Sequence, residues 1–232
     1  MWAADLDSLP IATDLYPLSE DEKRRTARFR GERLQHRFAA GRSLLRHVLG
    51  DLLNLPPDRV AFHYGSLGKP TLDPLAHAGA GPLHFNVSHC EEQIVIAATL
   101  TAPIGVDVEK LRPLSDEPEL ASRFFESGEI AEYFSLPAAL RNQGFFNAWT
   151  RKEALLKARG DGLQTPLDSF RVSLDPRTPC EVRAFTSLPE SPSDWSLISL
   201  SPSPRSIAAI AIRANRLRLH LARIPPPIYA TL

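Results

Sequence analysis

One short run, Ile104 to Glu109, limits what this chain can fold into more than any other segment. Ile104, Val106 and Val108 alternate with Gly105, Asp107 and Glu109. Successive side chains of a strand point to opposite faces, so one face here is apolar and the other carries both carboxylates. Two carboxylates that close repel each other unless a cation sits between them. Hard oxygen ligands suit magnesium, which keeps several waters and takes one or two carboxylates plus substrate phosphates. A solvated strand face bearing two acids remains the plainer meaning of such a pair taken alone.

The segments around this strand alternate helix and strand. Ser19-Glu20-Asp21-Glu22 fits a capping box and predicts a helix running towards Arg30. Leu34, Phe38, Gly41, Leu45, Val48 and Leu52 recur at spacings of four and three and predict one buried face of a longer helix, with Pro56-Pro57 beyond its end. Strands are expected at Val60–Tyr64, His84–Val87, Gln93–Leu100 and Ile104–Glu109, and Gly65–Pro74 is expected as loop. Further on, Glu119–Phe134 is expected as helix in pieces. Phe145–Ala158 is expected as a helix that Gly160 can terminate. Strands follow at Ser169–Leu174, Ser196–Leu200, Ile207–Ile212 and Leu217–Leu221, with Asp175–Pro192 as loop. The pattern is α+β, and the repeated order of elements marks two halves, 1–102 and 103–232, meeting near Thr101 to Ile104.

Composition narrows the class. The 232 residues are 43% hydrophobic and 23% charged, enough apolar material for a core. Lysine plus arginine total 27 and aspartate plus glutamate total 27, so net charge gives no reason to expect a nucleic-acid partner. Two cysteines, Cys90 and Cys180, are expected as free thiols in a reducing compartment. Met1 to Tyr16 has no basic start followed by an apolar run, and no stretch is apolar over the ~20 residues a membrane span needs. A soluble, cytoplasmic protein is expected.

Four further motifs bear on chemistry. In Phe146-Asn147-Ala148-Trp149-Thr150-Arg151-Lys152-Glu153-Ala154-Leu155-Leu156-Lys157, helical spacing puts Glu153 almost over Phe146 and Lys157 four residues further along the same side. A surface Glu–Lys pair is one meaning; a partly buried acid needing a metal or basic partner is the other. In Phe85-Asn86-Val87-Ser88-His89, the amide of Asn86, the hydroxyl of Ser88 and the imidazole of His89 can grip phosphate oxygens, although the same residues form turns. Gly68-Lys69-Pro70 offers a point charge on a loop. Arg25, Arg42 and Arg46 lie on the first helices, where they can meet a phosphomonoester or simply be solvated.

Taken in order, the arginine helix, Gly-Lys-Pro, Phe-Asn-Val-Ser-His, Gly-Val-Asp-Val-Glu and Trp-Thr-Arg-Lys-Glu-Ala-Leu-Leu-Lys resemble the 4′-phosphopantetheinyl transferase superfamily, in its large surfactin-synthetase-activating branch. The resemblance covers roughly Glu20 to Gly162. It implies a pseudo-dimer of two similar α+β halves with coenzyme A in the cleft between them. It implies magnesium on Asp107, Glu109 and Glu153. It implies coenzyme A contacts from Arg42, Lys69, Ser88, His89, Asp107 and Lys157, with Arg25 at the 3′-phosphate and Glu22 or Lys23 where relatives can carry a second lysine. The reaction implied moves phosphopantetheine from coenzyme A to a serine of an apo acyl or peptidyl carrier protein and releases adenosine 3′,5′-bisphosphate. Glu153 is the candidate general base, with a metal-bound hydroxide as the alternative, and Lys157 steadies the phosphate or the leaving group. A monomer is expected. Two rivals are a magnesium phosphoesterase or nuclease that uses water, and a carrier-binding module with a dead site.

Overall fold

Two helices of equal length organise the chain. They are α2 (Glu32–Leu53) and α5 (Ala138–Arg159), each of 22 residues. The computed structural model describes residues 1–10, 16–65, 68–79, 81–160, 162–215 and 217–223, without the side chains of Leu163 and Arg223. Before α2 come β1 (Trp2–Asp5) and α1 (Glu20–Ala27); after it come the hairpin β2 (Phe62–Tyr64) and β3 (Pro70–Leu72), then β4 (His84–Cys90) and β5 (Gln93–Thr99). Before α5 come β6 (Ile104–Lys110), α3 (Glu117–Phe124) and α4 (Ser127–Ser135); after it come the hairpin β7 (Phe170–Val172) and β8 (Val182–Phe185), then β9 (Ser196–Leu200) and β10 (Ser206–Ile212). The sheets repeat as well. The first has the antiparallel order β1-β5-β4 and the second β6-β10-β9, so the first and last strands of each half are neighbours. A last strand, β11 (Ala222–Arg223), returns from the second half to pair with β1 in parallel. This is an α+β protein built from two halves of like topology.

The same side-chain device locks each half. Ser19 caps α1, and the third helical residue, Glu22, completes the capping box. Glu22 is buried and binds Nε of Arg42 at 2.6 Å and Nε of Arg46 at 2.7 Å. Arg46 also donates to the carbonyls of Pro57 and Val60 and lies over the ring of Phe62 at 5.2 Å. In the second half Glu126 caps α4, and Glu129 completes that box. Glu129 binds Lys152 Nζ at 2.7 Å, both side chains being fully buried. Lys152 donates to the carbonyls of Leu167 and Phe170 and lies over the ring of Phe170 at 4.4 Å. Arg46 and Lys152 occupy the same position in their helices, counted from Glu32 and Ala138. In each half a buried cation ties the short helix, the long helix and the start of the hairpin together.

The apolar face of β6 joins the halves. Ile104, Val106 and Val108 pack with Val95 and Ala97 of β5 and with Ala208, Ile210 and Ile212 of β10. The other face of β6 lies under α5. Several expectations change. Leu34 and Leu52 are 50% and 46% exposed, not buried. A 22-residue helix is about 33 Å long and a seven-residue strand about 23 Å, so the ends of α2 overhang their sheet. The helix α5 begins at Ala138 rather than Phe145, because Ala138, Ala139 and Gln143 are exposed and its early turns leave little apolar period to see. The loops expected at Gly65–Pro74 and Asp175–Pro192 each hold a short hairpin strand, β3 and β8. Leu217–Leu221 is not a strand; β11 follows it. Both cysteines are free. Among the described residues no helix is long and apolar enough to cross a membrane.

Candidate active site

Gly105 determines how closely α5 can lie on β6. A Cβ there would stand 2.0 Å from the carbonyl oxygen of Ala154 and 2.3 Å from the amide nitrogen of Ala158. Helix backbone and strand backbone touch at this point, and only glycine permits it. Two residues further along the same face, Asp107 meets the side chain of Lys157, with Nζ to Oδ1 at 2.7 Å. Ser88 of β4 donates to the same oxygen at 2.9 Å, and Lys157 also donates to Ser88 Oγ at 3.1 Å. Lys157 therefore pairs with Asp107 across to the sheet rather than with Glu153 on its own helix. The surface Glu–Lys pair considered from spacing is absent.

Three acids gather here. Asp107 is buried, and its Oδ2 has no hydrogen-bond partner. Burial pushes its pKa up against the pull of Lys157. Glu109 is half-buried and accepts from Cys90 Sγ at 3.3 Å; burial raises it too, and Asp107 adds to the rise. Glu153 is half-buried and has no hydrogen bond or ion pair within the described residues. Burial, then the charges of Asp107 and Glu109, lift its pKa. Among the described residues no three histidine, cysteine or acidic side chains stand close enough to hold a metal by themselves. An orphaned carboxylate oxygen and an all-oxygen acidic set nonetheless suit a hard cation that draws its other ligands from phosphate and water.

Two bases also neighbour Lys157. Lys69, in the loop between β2 and β3, donates to the carbonyls of Lys157 and Ile104. Its pKa is lowered by burial and by the charge of Lys157. His89 of β4 is lowered as well, by desolvation of its ring and then by the charge of Lys157. Lys157 is thus the shared neighbour of the three acids and of the two bases.

The hairpin β2–β3 links this centre to the arginines. Tyr64 pairs with Pro70, the residue after Lys69. The hydroxyl of Tyr64 accepts from Arg42 at 2.9 Å, and Arg25 lies over its ring at 5.5 Å. Arg25 has no carboxylate partner among the described residues, whereas Arg42 and Arg46 share one, Glu22. Arg46 is wholly used by the fold, and Arg42 is largely so. Asn86 is buried, and its Oδ1 accepts from the amide of Val106 at 2.8 Å, which ties β4 to β6. Tyr64, Cys90 and the Glu129–Lys152 pair are absent from the site and packing residues expected from sequence. A lone tyrosine, a lone cysteine and an acid 23 residues before its lysine leave no local pattern.

Two halves of like topology bring acids and bases together where β4, β6 and α5 meet. The chain belongs to the 4′-phosphopantetheinyl transferase superfamily: the superfamily model matches residues 103–212, and the model of the 4′-phosphopantetheinyl transferase amino-terminal region matches residues 1–101. It is 41% identical over 196 residues to the 4′-phosphopantetheinyl transferase HetI of Nostoc sp., covering 84% of this chain and 78% of that protein. It is 31% identical over 179 residues to the 4′-phosphopantetheinyl transferase Sfp of Bacillus subtilis, covering 72% of this chain and 76% of Sfp. It is 32% identical over 184 residues to the 4′-phosphopantetheinyl transferase psf-1 of Bacillus pumilus, covering 74% and 76%. The chain is an enzyme of this kind, a phosphopantetheinyl transferase.

Proposed function

We propose that the enzyme moves the 4′-phosphopantetheine group of coenzyme A onto a serine of an apo acyl or peptidyl carrier protein, acting as a cytoplasmic monomer with bound magnesium. The observation that carries this reading is the side-by-side placement of the acids Asp107, Glu109 and Glu153 and the bases Lys157, Lys69 and His89. Each cluster repels itself. A divalent cation relieves the first and a pyrophosphate relieves the second.

Asp107, Glu109 and Glu153 would hold the magnesium, which supplies charge stabilisation to the phosphate oxygens. Lys157, Lys69 and His89 bind the pyrophosphate, and Lys157 opposes the charge that grows during transfer. Arg25, beside Tyr64 and the partly neutralised Arg42, meets the 3′-phosphate end. The serine oxygen forms a bond to the β-phosphorus. The bond from that phosphorus to the bridging oxygen breaks, and adenosine 3′,5′-bisphosphate leaves with the electron pair. Glu153 takes the serine proton. Its raised pKa and lack of an internal partner suit a base that must both accept and release a proton.

Mass spectrometry of an apo carrier protein mixed with the enzyme, magnesium and coenzyme A tests the proposal. The carrier should gain one phosphopantetheine, and should gain nothing when chelator is in excess. Release of free phosphopantetheine without carrier modification would instead make the enzyme a phosphoesterase.

A further inference from the structure

The strands β4 and β6 belong to different halves and different sheets, and no backbone ladder joins them. They run side by side in the same direction, and side chains take the place of the ladder. Asn86 Oδ1 accepts from Val106 N at 2.8 Å. Ser88 Oγ donates to Asp107 Oδ1 at 2.9 Å. Cys90 Sγ donates to Glu109 Oε2 at 3.3 Å. The three donors and acceptors alternate along β4 and so share one of its faces. Their partners follow in the same order along β6: Val106, Asp107 and Glu109.

We propose that Asn86, Ser88 and Cys90 form a side-chain ladder that sets the register between the halves and so aims Asp107 and Glu109 into the site; Asn86 and Cys90 are positioning residues. The chemistry of each rung matches its task. Asn86 is buried and is the only rung that reaches backbone, so it anchors the strand itself. An amide oxygen can accept there without adding charge to a region already rich in acid. Ser88 can donate to Asp107 while accepting from Lys157, which fixes one oxygen and leaves Oδ2 turned away without a partner. Cys90 donates its thiol hydrogen to Glu109 Oε2 at 3.3 Å and so holds that carboxylate on the same face. Ser88 and Cys90, two residues apart, thus place one carboxylate contact each, the spacing at which β6 presents Asp107 and Glu109. A one-residue slip of β6 would turn both acids to the opposite face.

The metal part of this inference rests on the function proposed above; the register part does not. Two measurements on the full chain separate them. Hydrogen exchange over 104–110 reads the register, and manganese binding in the presence of coenzyme A, followed by electron paramagnetic resonance, reads the aim of the acids. Asn86→Ala should speed exchange at the Val106 amide by about fivefold or more, the scale of one net hydrogen bond. Cys90→Ala, a milder change that keeps the core filled, should weaken manganese binding about fivefold on the same scale. Cys90→Ser keeps a donor and should restore the wild-type value. Unchanged exchange in Asn86→Ala, or unchanged manganese affinity in Cys90→Ala, overturns the ladder. Absence of manganese binding by the wild type overturns the metal reading alone, and exchange at Val106 then decides the ladder.

Discussion

Glu153 is a half-buried acid with two acidic neighbours and no partner among the described residues, which is costly for stability and useful for chemistry. Glu153→Gln should lower turnover ~100-fold or more, the scale of losing a general base, while coenzyme A still binds. The same change should raise the melting temperature of the ligand-free enzyme at neutral pH. The sign follows from linkage: a carboxyl whose folded pKa is raised stabilises below its unfolded pKa and loses that contribution as pH rises. A Glu153→Gln enzyme that keeps its turnover and gains no stability would place the base elsewhere. Cys90 offers an independent check. Its thiol is pushed up to about 11, from 9.0, by burial and then by Glu109. Alkylation at pH 8 should be about 100-fold slower than for a free thiol, and should speed up in Glu109→Gln.

Among elements, the contact of α5 with β6 sets the geometry of the site. Gly105→Ala drives a Cβ into the backbone of Ala154 and Ala158, which cannot swing aside as a side chain can. We expect destabilisation of about 3 kcal/mol or more in urea unfolding, with turnover lost because Lys157 moves off Asp107. Gly79→Ala, where a Cβ meets nothing within 4 Å, is the control and should be near neutral. The lock between α4 and α5 should behave as a buried pair. Lys152→Met takes the cation away from buried Glu129, leaving its carboxylate only the amides of Glu126 and Val172, and should cost about 3–5 kcal/mol. Lys152→Met with Glu129→Gln should recover part of that. An additive double mutant would mean the pair contributes nothing as a pair.

At the scale of the whole molecule, the proposed active centre draws on both halves. Lys69, Ser88 and His89 come from the first, and Asp107, Glu109, Glu153 and Lys157 from the second. Ligands that bridge the halves should therefore raise the melting temperature. A ligand at 100 times its dissociation constant adds about 2.7 kcal/mol. Coenzyme A with magnesium should stabilise more than coenzyme A with chelator, and magnesium alone should do little. Equal shifts for coenzyme A with and without magnesium would remove the metal from the proposed site.

Much of this was legible in the chain itself. The alternation Ile104–Glu109 placed two acids on one face, and the capping box at Ser19–Glu22 placed α1, because period and capping are local properties that survive without neighbours. The order of the motifs pointed to the family. Tertiary structure alone decided partnership. Sequence spacing offered Lys157 to Glu153, but the absence of a side chain at Gly105 brings β6 so close that Asp107 takes it instead. Asn86 and Arg42 were polar residues available for phosphate until folding set Val106 and Glu22 within hydrogen-bond reach. A side chain's partner depends on which distant backbone the fold brings alongside, and burial then makes that partner obligatory, because an unpaired polar group away from water costs more than any alternative contact returns.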